Sequence, residues 1–481
     1  MEYEYSSYQK NIFDFIANGT GDLLVQAVAG SGKTTTIIES LKFIPEGNDV
    51  LFLAFNKSNV DSLKTKVMEG VEVKTLHSLG FQALMSLGRR KVDENKIPNL
   101  VRENIKKYNI PVKLQNGFIY KIAKLVDYIR NNFLEHKHEV IFDSCFMHGT
   151  LYTEEEIKCA IEILELSERA SSVDFIDMIY LPVKFNLKVK KFDYVYIDEC
   201  QDLSKLQQLL FLKTKKVGAR HIAVGDVNQA IYGFAGADVN SFNNLKNLPN
   251  TTILPLSVCY RCKNNIVDYV KPLVSEIESF SNLDEGIIRD GCISELTSGD
   301  LVLCRNTKPL FELSMLLFED GKKSFIKGHE FGKEMVKMLV ETKAIMKSAA
   351  KIKLEYSLVK LENRLRNFGI PDPSRTNVYK NLSEKIDIIV NVLFNYTTTV
   401  KQTIDIIEDL FSEKVESNRV TLSTIHRSKG FESKRVFVLN RELMPSKQAV
   451  TDWEIQQEKN LEYVCYTRAM DELVFVTLPK E

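Results

Sequence analysis

The residues with the clearest capacity for chemistry form the loop Ala27-Val28-Ala29-Gly30-Ser31-Gly32-Lys33-Thr34, followed by Thr35. Gly30, Ser31 and Gly32 would let successive backbone N–H groups approach a phosphate. Lys33 would neutralise the outer phosphates, and the Thr34 hydroxyl suits Mg²⁺. The full pattern is G-x-x-x-x-G-K-[ST], and Ala27 stands where its first glycine is written. A magnesium nucleotide site also needs a carboxylate at the end of a neighbouring strand. Val195-Tyr196-Ile197-Asp198-Glu199-Cys200-Gln201-Asp202 supplies Asp198 for the metal and, one residue on, Glu199 to orient and deprotonate an attacking water. Alone, such an acidic turn is more often a helix cap. Beside a phosphate loop it points to ATP and Mg²⁺ as cofactors.

These groups need strands to carry them. Leu23 to Val28 reads as a buried strand entering the loop, and Thr34 to Phe43 as the helix leaving it. Val50 to Ala54, Val71 to Lys74, Tyr194 to Ile197 and His221 to Val224 read as further strands of a parallel sheet, which places its ligands beyond the strand ends. Residues 86–172 have a helical texture instead. A second α/β alternation follows residue 250, with strand candidates Thr252 to Leu256, Leu301 to Cys304, Ser324 to Lys327, Val420 to Leu422, Val436 to Leu439 and Leu473 to Thr477. It is interrupted by a Lys-rich helical stretch over residues 334–417. The expected plan is therefore a first α/β domain (1–85 and 173–250) with a helical insertion (86–172), and a second (251–333 and 418–481) with a reduced one (334–417). No fixed-period repeat or low-complexity linker is evident.

Lys+Arg and Asp+Glu both number 64 among 481 residues, so any hold on a polyanion must come from local basic surface. Residues 86–130 carry eleven Lys/Arg against four acids, a candidate for such a surface, although a solvated helical face is the plainer reading. The acidic Met1-Glu2-Tyr3-Glu4-Tyr5 start is no secretory signal, and no apolar run reaches spanning length, so a soluble cytoplasmic protein without membrane contact is expected. Eight scattered Cys are too sparse for a disulfide framework. Cys259 and Cys262 form a C-x-x-C, but no second Cys/His pair of ligand spacing accompanies them, which argues against zinc.

The loop and the acidic strand end, with their surroundings, resemble the UvrD/Rep-like helicases of superfamily 1, a family that favours alanine at the first loop position. The resemblance spans most of the chain outside the insertions and implies two RecA-like parallel-sheet P-loop domains. It implies that Gln9 reads the adenine edge, and that Phe55-Asn56-Lys57 and Thr75-Leu76-His77-Ser78 contact the strand, with Phe55, Asn56, Lys57, Thr75 and His77 as the contacts. In Gly225-Asp226-Val227-Asn228-Gln229 it implies that Gln229 senses the terminal phosphate. In Ile231-Tyr232-Gly233-Phe234-Ala235-Gly236-Ala237 it puts Tyr232 on the strand, and Phe234, where tryptophan is common, stacked on a base. Tyr260-Arg261 matches the family's pair that packs on adenine and meets the γ-phosphate, and Arg468 in Tyr466-Thr467-Arg468-Ala469 looks like a second arginine finger. In Thr421 to Glu432, Thr424 and His426 would face nucleic acid and Glu432 the ribose, with Phe431 in place of leucine.

The implied function is an ATP-driven helicase that ratchets single-stranded DNA by cleft closure and unwinds duplex, with 3′ to 5′ polarity as in the UvrD-like rather than the RecD-like branch. The implied partners are single-stranded DNA and single-strand/duplex junctions, a loading protein being left open, around a monomeric core. The short second insertion favours a compact accessory or phage-encoded enzyme. The alternatives are an ATP-gated clamp that does not unwind, an RNA-directed helicase, and a small-molecule kinase that would have no use for Arg261, Arg468 or the Thr424 to Glu432 segment.

Overall fold

The apolar runs around the phosphate loop assemble as the alternation requires. The computed structural model describes residues 4–479 apart from 87, 89, 148–151, 234–237, 281–283, 368–369, 371 and 413–417. The chain divides into two compact units that meet in sequence between Val258 and Cys259.

In the first unit, helix α1 (Ser7–Asn18) precedes strand β1 (Asp22–Ala27), and the phosphate loop joins β1 to α2 (Lys33–Ser40). Next come β2 (Val50–Ala54), α3 (Lys57–Lys64), β3 (Glu72–Thr75) and α4 (Leu76–Met85). Two short parallel strands, β4 (Lys91–Val92) and β5 (Ser172–Val173), bracket a helical segment of α5 (Lys96–Asn104), α6 (Gln115–Asn131), α7 (His138–Met147) and α8 (Glu154–Arg169). The sheet resumes through α9 (Asp177–Lys184), β6 (Phe192–Ile197), α10 (Lys205–Leu212), β7 (Lys215–Gly225), α11 (Ser241–Lys246) and β8 (Thr251–Leu256). Its order is β3-β2-β6-β7-β1-β8, parallel throughout. Leu23, Val25, Phe52, Tyr196, Ile222 and Val224 on the strands pack with Ile12, Phe13 and Ile16 of α1. Such two-faced burial is why the strands read as continuous apolar runs.

One strand falls elsewhere than expected. Thr252 to Leu256, read as the opening of the second domain, pairs with β1 over its whole length and forms the edge of the first sheet. Turn residues near Asn250 suggest a boundary, but the parallel register with β1 decides the strand's place.

The second unit begins with the short pair β9 (Val258–Cys259), shared with the boundary, and β10 (Glu278–Ser279), with α12 (Asn264–Val270) between them. Its six-stranded sheet contains β11 (Ile287–Asp290), β12 (Leu301–Cys304), β13 (Ser324–Ile326), β14 (Val420–Thr424), β15 (Ser433–Leu439) and β16 (Ala469–Val476). The order is β11-β16-β15-β12-β14-β13, again all parallel. Both sheets, flanked by helices and carrying helical insertions, are tandem RecA-like domains. β11 has no counterpart among the sequence expectations. It is a short edge strand with Ile287 exposed, and Arg289 pairs with Glu295 and Glu472, so it lacks an apolar signature.

Between β13 and β14 lie α13's successors, the helices α14 (His329–Thr342), α15 (Lys347–Asn367), α16 (Asn377–Asp387) and α17 (Val400–Leu410), α13 itself being Lys308–Glu319. Met335, Leu339, Leu354, Ile389, Leu393 and Ile407 from this helical stretch share one apolar core with Phe311 of α13 and Val302, Leu422 and Phe437 of the sheet. The second insertion thus packs onto its α/β core. Helix α18 (Asp452–Tyr466) leads into β16. Among the described residues no helix is long and apolar enough to cross a membrane.

Candidate nucleotide site and its relatives

Each unit carries part of the expected site. In the first, the loop between β1 and α2 turns through two left-handed glycines, Gly30 (φ 67°) and Gly32 (φ 74°). Gly32 is the N-cap of α2 and has no capping side chain, so the first-turn amides face outward. Ser31 is buried and its hydroxyl donates to the Val28 carbonyl at 2.8 Å, while the Val28 N–H donates to Leu256 of β8 at 3.1 Å. Ala29 is buried, Lys33 is half-buried, and Thr34 and Thr35 are exposed.

The acidic turn closes over this loop. The Thr34 hydroxyl donates to Asp198 Oδ2 at 2.8 Å, bridging α2 to the end of β6. Removal from water raises the Asp198 pKa, the Glu199 carboxylate raises it further, and Lys33 and Thr34 act in the opposite sense. Thr34 and Asp198 bring together a hydroxyl and a carboxylate oxygen, the donor types that Mg²⁺ takes. Glu199 adopts the left-handed region at φ 54°, uncommon for a residue with a Cβ, and its N–H donates to Asp198 Oδ1 at 2.8 Å.

Two residues not singled out from the sequence hold the acidic turn to β7. Gln201 Nε2 donates to Glu199 Oε2 at 2.6 Å, while Gln201 Oε1 accepts from the Asp226 N–H at 3.1 Å. Fully buried Asp226 in turn accepts from Gln229 Nε2 at 2.7 Å. Burial pushes the Asp226 carboxyl up, and Lys33 opposes the shift. Glu199, Gln201, Asp226 and Gln229 therefore form one chain of hydrogen bonds. Its sequence signal was the proximity of Gln201 to Glu199 and of Asp226 to Gln229.

Other expected contacts have local structural partners. Gln9 is fully buried; its side chain accepts from Ser6 N–H in a capping box and donates to Thr36 Oγ1 at 3.0 Å. It ties α1 to the phosphate-loop helix. Asn56 and Thr75 are N-caps of α3 and α4, accepting from Asn59 and Ser78 N–H groups at 2.8 and 3.1 Å. Lys57 opens α3 and is exposed. Phe55, 45% exposed, and His77 line one pocket with Ala54, Leu76, Ile197 and Asp198. Burial lowers the His77 pKa. Tyr232 is half-buried, and Phe234 lies outside the described residues.

In the second unit, Arg261 pairs with Glu432 and donates to the Thr467 carbonyl at 3.2 Å. Arg468 is 1% exposed and donates from Nε to Val464 O at 3.0 Å and from Nη1 to Phe431 O at 3.3 Å. The Tyr260 ring lies 4.9 Å from that of Phe280. Thr424 ends β14, and His426 follows it close to the Arg305–Glu458 pair. Burial, helped by Arg305, depresses the His426 pKa to about 4. Lys327 sits over the Phe431 ring, the residue that replaces leucine.

The family model described as the UvrD/REP helicase N-terminal domain matches residues 8–250, half of the chain. The chain belongs to the UvrD/Rep helicase family. Among relatives of this UvrD/Rep-family chain, F-box DNA helicase protein 1 of Schizosaccharomyces pombe is 24% identical, over 98% of this chain and 57% of that protein. ATP-dependent DNA helicase Rep of Buchnera aphidicola subsp. Baizongia pistaciae is 23% identical over 59% of this chain and 46% of its own length. Rep of Buchnera aphidicola subsp. Schizaphis graminum is 21% identical, over 97% of this chain and 92% of its own. The chain thus spans about half the length of the first two relatives and nearly all of the third.

Proposed function

We propose that this UvrD/Rep-family chain hydrolyses ATP to move along single-stranded DNA, with 3′ to 5′ polarity, and so unwinds duplex. The observation that carries the reading is the 2.8 Å bond from Thr34 to Asp198, beside a Glu199 oriented by Gln201. The α2 amides and Lys33 bind the phosphates, and Thr34 with Asp198 holds Mg²⁺, which supplies charge neutralisation when bound. Glu199 accepts the proton of the attacking water, and Gln229 reports the terminal phosphate through Asp226 and Gln201. Arg261 and Arg468 stabilise charge on the transferring group once Glu432 releases Arg261. Phe55, His77, Tyr232, Phe234, Thr424 and His426 contact the strand. The relatives are named as DNA helicases, which supports DNA as the track.

Strand displacement on duplexes with a 3′ or a 5′ tail tests the motor and its polarity together. Unwinding from the 3′ tail alone is expected, and unwinding from the 5′ tail alone would overturn the polarity. Glu199→Gln should lower single-strand-stimulated turnover by about 10²–10⁴-fold while sparing ATP binding, the range for a lost general base. Turnover indifferent to DNA would sink the motor.

A further inference from the structure

The C-x-x-C at Cys259 and Cys262 is a sequence feature that the nucleotide site leaves unused. Both side chains are fully buried at the start of the second unit. They are in contact: the Cys262 N–H donates to Cys259 Sγ at 3.4 Å. Cys262 Sγ also donates to the Thr467 carbonyl at 3.6 Å, the same oxygen that accepts from Arg261. Tyr260 and Arg261 are the two residues enclosed between the sulfurs.

This pair differs from the other buried cysteines. Cys145, Cys159, Cys200, Cys304 and Cys465 all have thiols pushed up by burial. At Cys259 the Cys262 thiol is the leading influence and lowers the pKa; burial opposes it, and the N–H groups of Cys262 and Arg261 and the Arg261 charge add to the lowering. Cys262 is shifted upward in return. A thiol of lowered pKa and a second thiol three residues on are therefore held side by side, the arrangement that disulfide formation needs.

We propose that Cys259 and Cys262 are a dithiol modification site that a hydroperoxide oxidises to a disulfide, with Arg261 as the group the modification acts upon. The Cys259 thiolate attacks the peroxide, forming an S–O bond as the O–O bond breaks and releasing water or an alcohol. The Cys262 sulfur then attacks the sulfenic sulfur, the S–S bond forms, and the hydroxyl leaves as water with the Cys262 thiol proton. The two electrons pass from the thiols to the peroxide, and both thiol protons end in the products. The bridge closes Tyr260 and Arg261 into a ring and deletes the S–H donor to Thr467, changing the carbonyl that holds Arg261. Loss of turnover by this route rests on the proposed role of Arg261 at the γ-phosphate; the oxidation itself does not.

The test treats the reduced full-length chain with hydrogen peroxide, alkylates it after denaturation, and maps the peptides by mass, with exposed Cys292 as internal control. The expected result is a 259–262 disulfide with the loss of two hydrogens, reversed by dithiothreitol, and single-strand-stimulated ATP turnover lowered by about tenfold or more, as for loss of one transition-state donor. Cys262→Ser keeps a hydroxyl donor toward Thr467 and should retain turnover that peroxide no longer affects. Both cysteines recovered doubly alkylated while Cys292 is oxidised would overturn the site. A mapped disulfide with turnover unchanged upholds the site and overturns its link to Arg261.

Discussion

Glu199 shows what the site demands of single residues: it accepts a left-handed backbone to place its carboxylate, and Gln201 then fixes that carboxylate's direction. Gln201 fits only because residue 225 has no side chain. A Cβ on Gly225 would meet Gln201 Oε1 at 2.5 Å and Cys200 Sγ at 2.7 Å. Gly225→Ala is therefore expected to cost about 1–3 kcal/mol by overpacking, read from urea unfolding, and to lower turnover by displacing Gln201. Asp22 offers a pH signature at the other end of the sheet. Burial alone would raise its pKa, but bonds from His221 and Lys215 outweigh it and hold the carboxylate at about 2 against 3.8 unperturbed. A depressed folded pKa contributes stability above the unfolded value, so this contribution is present above about pH 4 and lost as pH falls toward 2. Acid unfolding of Asp22→Asn should be flatter over that window. At this scale the loop, Asp198 and Glu199 were legible because their chemistry is tied to spacing. Gln9, Asn56 and Thr75 show the limit, since their cap bonds use the same polar atoms that a ligand would and sequence does not separate the two.

The helical segment between β4 and β5 corrects a count made from sequence. Of the eleven cations in residues 86–130, Lys96 and Arg130 are 2% and 1% exposed, and Lys121 pairs with Glu156. Arg130 bonds Asp127, Asp174 and Asp177, and Lys96 bonds Asp177 and the Ser167 carbonyl. Three of these acids, Glu156, Asp174 and Asp177, lie beyond residue 130, so a windowed charge count missed them. The cluster ties α5 and α6 to α9 rather than presenting charge to DNA. Arg130→Met strips Asp174 of its cation and leaves Asp177 with Lys96 alone, and should destabilise the chain by about 3–5 kcal/mol, measured by denaturant unfolding. The strands of both sheets were legible from their apolar runs, whereas β11 was not, because an edge strand stabilised by Arg289 ion pairs has no such run.

Across the whole molecule, both parallel sheets follow the expected alternation, and β8 is the departure with the widest effect. It covers the outer edge of β1, and its Leu256 carbonyl accepts the Val28 N–H at the base of the phosphate loop. The matched family region ends at residue 250, one position before β8 begins. Expression of residues 1–250 is therefore expected to yield protein that associates through the bare β1 edge, while residues 1–258 should stay monodisperse in light scattering. Equal behaviour of the two would show that β8 is dispensable. A fragment meant to fold as the first compact unit should therefore run to Val258, eight residues past the end of the matched family region.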